Sequence, residues 1–373
     1  MPRASETSIF PSYLLPGIIF QSVLIGGGYA TGREIVEFGG KFGAWGIWAI
    51  ATIFLGFTFF AIMTYEVARV FKTYEYTSWI RQLIFGLWPA FDVLFVGMTV
   101  LVLGVLSAAT GSIAQEVLHW PFWLGASLVL ALVAILNFYG KKVIAHFKTA
   151  GTVFLYIGYL LFTLAVVASR SPQIARALVA ADTSYFPDLG LGTVVWTGLL
   201  YVGYNLAALP TTLFVLEEQR ERKHSIWAGA ITGLLATLPF GLTWISLLGF
   251  YPASEVLDAP VPWLRMLSQT ASPGVIVLYG LVVAWTLVET CTGFIHALLD
   301  RVDARLRELG QPPLSRPKHA LIAAGIVLLS GGLSRFGIID LISQGYTAMA
   351  YGFLILMALP LLTVGLFRVL KNG

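Results

Sequence analysis

Gly26-Gly27-Gly28-Tyr29-Ala30-Thr31-Gly32 lies in the middle of an apolar stretch, 12–36, long enough to cross a bilayer as a helix. Each glycine costs a helix about 1 kcal/mol relative to alanine, so four within seven residues predict a break at bilayer depth. Backbone that leaves the helix there is tolerated only where it is buried in protein or lines a wet cavity.

The same kind of stretch recurs down the chain. Apolar segments lie at 12–36, 43–70, 88–115, 121–139, 146–168, 191–216, 226–250, 272–298, 318–334 and 338–366. Hydrophobic residues make up 57% of the sequence and charged residues 11%, where a soluble domain carries about a quarter. The mean hydropathy is +0.82. These values exclude a water-soluble domain, and the absence of polar alternation excludes a barrel, which leaves an all-α integral membrane protein of about ten transmembrane helices. The first apolar run is too long for a signal-peptide core and reads as a retained helix.

Orientation follows from the loops. Of the 23 Lys and Arg, Arg33 lies within a span, and Lys41, Arg170, Arg176, Arg265 and Arg335 fall on one side, leaving 17 on the side of the N-terminus. Positive residues collect on the cytoplasmic side, so both termini are expected inside, in a bacterial inner membrane. The formal charge of +4 is small and dispersed among these loops, which argues against nucleic acid as a partner. The expected partners are the lipid bilayer and a small solute. Cys291 is the one cysteine, so no intramolecular disulfide is possible.

The sixth stretch is a poor helix too. Gly203-Tyr204-Asn205 is followed by Pro210, which lacks a backbone donor. The first and sixth stretches each open a set of five. Because five is odd, the two sets, about 10–170 and about 190–368, are expected to be inverted repeats of a single transporter domain. Gly/Pro-interrupted spans at matching places in two halves point to a transporter's midplane binding site. Gly26, Gly27, Gly28, Tyr29, Ala30, Thr31, Gly32, Gly203, Tyr204 and Asn205 are therefore candidate substrate-binding residues. Ser107, with Thr110 and Ser112, adds candidate hydroxyls from the third span. Free N–H groups at half-helix ends suit a carboxylate and free carbonyls suit a cation. A plainer reading is also open: Gly28 and Gly32 have the spacing of a helix-packing motif.

Gly26 to Glu34, with Phe38-Gly39-Gly40 and Gly43-Ala44-Trp45-Gly46 after it, resembles the first-helix signature of bacterial YkvI-type membrane proteins. More distantly the chain is similar to the amino acid–polyamine–cation superfamily with the LeuT fold. Leu314-Ser315-Arg316-Pro317-Lys318-His319-Ala320 is in the style of the neurotransmitter:sodium symporters of that superfamily. The resemblance implies first and sixth helices broken at the midplane, an extracellular gate between Arg33 and Asp340, and a sodium site between the first-helix break and the eighth helix. Gly27, Thr286, Glu289 and Thr290 are its candidates here. Some proton-coupled relatives use a fifth-helix lysine instead; Lys148, beside His146, is shallow and reads as a snorkelling residue.

Charge at bilayer depth is costly, which makes each buried ion a functional candidate. Glu289 sits within the eighth span and is a candidate sodium ligand, proton carrier or counter-ion of a cationic substrate, against a structural hydrogen bond to the first span. Glu34 is a candidate for the vestibule wall, Glu37 for a cap beside Lys41, and Glu66 for a helical ion pair with Arg69. No HExxH, phosphate loop, G-x-S-x-G or histidine cluster is present, so an enzyme is not expected. The expected function is Na⁺- or H⁺-coupled secondary transport of a small amino acid or related amine by alternating access, without a cofactor. A non-transporting receptor with the same fold and an ion channel are the alternatives.

Overall fold

The computed structural model describes residues 10–117, 119–139, 141–187 and 190–372; the side chains of 117, 129–130, 133–134 and 136–153 lie outside the described set, His146 and Lys148 among them. The described residues are helical nearly throughout and contain no strand. Seven helical stretches are long and apolar enough to cross a membrane. Two further crossings are the interrupted first span, which begins with Phe10–Leu24, and Phe122–Tyr139. The seventh stretch, Arg316–Lys371, is itself two crossings, because Gly337 has φ +78° and turns the chain between Arg316–Leu333 and 337–372. The ten expected spans are therefore present.

The first span breaks where the glycines lie. Helix Leu15–Leu24 stops at Ile25 (ψ 88°), a single turn occupies Gly27–Ala30, and Arg33–Phe38 follows Gly32, whose φ of +85° is left-handed. The sixth span winds as an α-helix over Leu191–Asn205 and then tightens into a 3₁₀ run, Leu206–Glu218, with Pro210 inside it. Sequence predicted a break there; the chain changes its winding instead, since 3₁₀ bonding spares most of the backbone groups that unwinding would strand. The last span contains π-helical segments, and from one of them, Leu341–Tyr346, Ile342 lies against Gly28 and Tyr346 against Tyr204.

Several polar connections are more ordered than the sequence indicates. The fifth span continues as one helix, Lys141–Val179, and the eighth as Pro273–Glu308, so 169–179 and 300–308 are helical where loops were expected. Good helix formers such as Ala175-Arg176-Ala177-Leu178 carry the winding past the apolar region. Short amphipathic helices Tyr76–Ile84 and Pro262–Thr270 lie in two loops, each with one buried side.

Spans two (Gly46–Phe71) and seven (Arg222–Leu248) pack closely. A methyl group at Gly233 would lie 2.9 Å from the Thr58 nitrogen, and one at Gly229 2.8 Å from that of Ile62, so small residues four apart set this approach. Tyr65 and Thr232 share a 2.9 Å hydrogen bond across it. At its end, buried Glu66 accepts two 2.9 Å bonds from Arg69, the expected pair, with Arg222 3.8 Å away.

Candidate functional site

Broken helices leave backbone carbonyls without intrahelical partners, and at bilayer depth water does not supply them. Neighbouring spans do. Thr290 Oγ1 donates to the Ile25 carbonyl at 3.1 Å, Tyr159 Oη to Tyr29 at 3.2 Å, Tyr279 Oη to Ala30 at 3.2 Å, and the Trp263 backbone N–H to Thr31 at 3.1 Å. Thr31 Oγ1 closes on Gly28 at 2.8 Å. The interruption is thus held open by donors from the fifth and eighth spans and from helix Pro262–Thr270.

Glu34 folds back over this opening. The left-handed turn at Gly32 returns the chain so that a methyl group at Gly28 would lie 2.4 Å from Glu34 Oε1. Tyr204, the last turn of the α-helical half of span six, donates from Oη to Glu34 Oε2 at 2.7 Å. Its ring lies 4.6 Å from that of Tyr346 in the π-helical segment of span ten. One buried carboxyl therefore joins spans one and six, and the Tyr204 ring extends the contact to span ten.

Beside it lies a cavity of about 20 Å³, walled by Gly26, Glu34, Met98, Val102, Tyr204, Asn205, Thr290 and Tyr346 among others. Val23 and Phe294 form part of its wall and part of the wall of a second cavity of about 950 Å³. The larger cavity runs between the N-terminal half of span one, the 3₁₀ part of span six and the end of span eight, reaching exposed Glu75, Asp300, Arg307 and Glu308.

The opposite side is closed. Trp263 is fully buried; its ring packs on Tyr159 (5.8 Å) and Phe162 (6.1 Å), and Nε1 donates to Thr243 at 3.3 Å. Arg33, 5% exposed, donates to the carbonyls of Leu257 and Ala259 and lies 3.6 Å from Glu37, which also pairs with Lys41. Tyr185 donates to Asp258, tying the connection between spans five and six to that between spans seven and eight.

The sequence-derived candidates divide clearly. Gly26, Gly28, Tyr204, Asn205 and Thr290 meet at the small cavity or the carboxyl beside it. Tyr29, Ala30, Thr31 and Gly32 form the turn behind it, and Gly27 begins that turn. Gly203 instead lets span six approach span ten, 2.9 Å separating an added methyl from Leu354 Cγ. Ser107 is buried outside the cavity wall, and Thr110 bonds its own helix at Leu106. Thr286 is buried one turn from Thr290 and donates to Val282 at 2.8 Å, whereas Glu289 is half-buried and does not line the small cavity. Arg33 and Asp340 are not brought together: Asp340 is exposed, and Arg33 is consumed by Glu37 and the outer-loop carbonyls. Among the described residues no group of three or more His, Cys, Asp or Glu converges as a metal site would.

An interrupted first span meeting, at a buried carboxyl, a sixth span that changes its winding, with a cavity open to one face and sealed at the other, defines a multi-pass membrane protein with a LeuT-like transporter fold. Solved structures share it. A mutant of the Eremococcus coleocola manganese transporter superposes with a TM-score of 0.56 at 16% identity over 99% of this chain and 81% of that one. Another mutant of that transporter gives 0.53 at 14% identity over 97% and 88%. A Na⁺-coupled sialic acid symporter in its substrate-bound outward-open state gives 0.54 at 13% identity over 96% and 84%. At these identities the likeness is one of fold. No protein-family model matches the chain, and no curated protein matches its sequence.

Proposed function

We propose that the chain is an ion-coupled secondary transporter, carrying a small amino acid or related amine between the two faces of a bacterial inner membrane by alternating access. The observation that carries this reading is the Tyr204–Glu34 hydrogen bond at the blind end of a one-sided cavity. A buried carboxyl that bridges the interrupted first span and the sixth span, where α winding passes to 3₁₀, is positioned to receive an ammonium group, and that contact registers directly on both. The YkvI-type signature of the first span supports placement in the amino acid–polyamine–cation superfamily, with two inverted halves.

The cation site is read onto Ile25 and Thr290. Carbonyl and hydroxyl oxygens 3.1 Å apart offer two hard ligands to a small cation, and Thr286, whose hydroxyl donates to Val282, keeps lone pairs for a third. Sodium suits this donor set; a proton on Glu34 is the other means of coupling. The positive-inside bias makes the open face cytoplasmic, so this conformation faces inward, and Trp263 with Arg33 forms the outer seal.

The test is a thermal-shift screen of amino acids and amines in sodium or potassium, followed by uptake into proteoliposomes. A ligand that binds the folded state raises its apparent stability, so a shift with an amine that deepens in sodium, together with gradient-driven accumulation, is expected. Binding without accumulation would make the protein a receptor and overturn the proposal.

A further inference from the structure

The large cavity contains an arginine that the transport reading does not use. Arg301, on Pro273–Glu308, packs against two rings: its guanidinium carbon lies 3.4 Å from the centroid of Phe95 and 3.9 Å from that of Tyr76. Rings this close engage its π system, and its capacity for further bonds lies along the N–H edge. Asp92 stands at ion-pair distance, Nη1 to Oδ1 3.8 Å, too long for a hydrogen bond, and that oxygen already accepts the Tyr76 hydroxyl at 2.6 Å. Nη1 is buried and has no acceptor among the described residues. The side chain is 12% exposed and forms part of the cavity wall.

The other charges facing the cavity do not fill this role. Glu308 is engaged by Arg305 (2.7 Å) and Arg81 (2.9 Å). Glu75, Asp300 and Arg307 are exposed at the mouth, and His296 lies one turn deeper than Asp300 on the same helix. A guanidinium held against aromatic rings, with a buried Nη1 that reaches no hydrogen-bond acceptor among the described residues, suits a carboxylate, which can accept two parallel N–H bonds.

We infer that Arg301 is a second, vestibular binding site for the carboxylate of the transported solute, one stage removed from the cavity at Glu34. This rests on the reading of the cavity as the solute's route, and it makes the cargo a zwitterion: the ammonium is held at Glu34 in the deep cavity, and the carboxylate at Arg301 in the vestibule. Phe294 lines both cavities and stacks on Phe95 at 5.9 Å, so one apolar wall connects the stages.

The experiment is a thermal-shift titration of the purified full chain with butyrate, butylammonium and butyramide at matched ionic strength. Butyrate is expected to stabilise the wild-type protein and Glu34→Gln alike, and to bind Arg301→Gln at least about tenfold more weakly. Butyramide should do neither. Arg301→Lys keeps the charge and loses the planar fork, so it should weaken butyrate binding while remaining folded; it decides the matter if Arg301→Gln does not fold. No butyrate shift, or one unchanged in both Arg301 variants, overturns the inference and leaves the transport proposal standing. Loss of uptake in Glu34→Gln with the butyrate shift intact shows the two sites to be separate. Failure of all uptake with an Arg301-dependent shift would retain the anion site and sink the transport reading.

Discussion

The Tyr204 hydroxyl and the Glu34 carboxyl meet at 2.7 Å although 170 residues separate them; Glu34 stands beside the interruption of the first span and Tyr204 beside the change from α to 3₁₀ winding in the sixth. The carboxyl is buried, so its partner is part of its stability as well as of its function.

Removing the donor and removing the charge should therefore differ. Tyr204→Phe leaves a buried acceptor short of a partner and should cost about 1–3 kcal/mol of stability. Glu34→Gln keeps a polar group for Tyr204 and should fold, yet abolish amine-dependent stabilisation and uptake. Thermal melts with and without ligand separate the two; equal ligand shifts in Glu34→Gln and wild type would remove Glu34 from the site.

Gly28→Ala offers a steric test. The added methyl would sit 2.4 Å from Glu34 Oε1 and 3.0 Å from Ile342 Cδ1, so the carboxyl must move off Tyr204. Expression should persist while uptake falls at least about tenfold, as expected when a positioned group is displaced. Normal uptake would show that the carboxyl's placement is immaterial.

The proposed sodium site takes the Ile25 and Thr290 oxygens. Thr290→Ser retains the hydroxyl and should retain any sodium-dependent stabilisation, whereas Thr290→Val removes it and should lose that dependence. If wild-type stabilisation is identical in sodium and potassium, the coupling ion is a proton and Thr290 is structural.

The outer seal makes a fourth case. Trp263→Ala empties the volume packed against Tyr159, Phe162 and Gly32 and should cost about 3–5 kcal/mol, drawn from the sealed conformation. Thr31→Cys placed beneath it should then react with an impermeant thiol reagent from outside far faster than in a Trp263-intact background. Buried Cys291 contributes little to the signal. Equal labelling would show that Trp263 does not seal the outer side.

The ten crossings and the interruption at Gly26–Gly32 were readable because span length and glycine density act locally. The identity of the carboxyl was not. Glu289 stood out in sequence by its apolar surroundings, but helical periodicity turns it about 100° from Thr290, and the structure buries Thr290 more deeply. Glu34 is six residues from Gly28, so a continuous helix would have placed them on different faces. Only the left-handed φ at Gly32 folds one over the other, and a helical wheel carries no such turn. Arg33 was read toward Asp340 for a related reason: the outer loop that supplies the Leu257 and Ala259 carbonyls is fixed by tertiary packing that no local pattern records. Glu66 with Arg69 and Glu37 with Lys41 were legible because helical spacing alone pairs them.

The most direct measurement is a structure determined with the ligand that best stabilises the protein. The account predicts ligand density between the first-span break and Tyr204, with an ammonium group in hydrogen-bond contact with Glu34. Density confined to a site away from Glu34, or a first span continuous through residue 28, would contradict it.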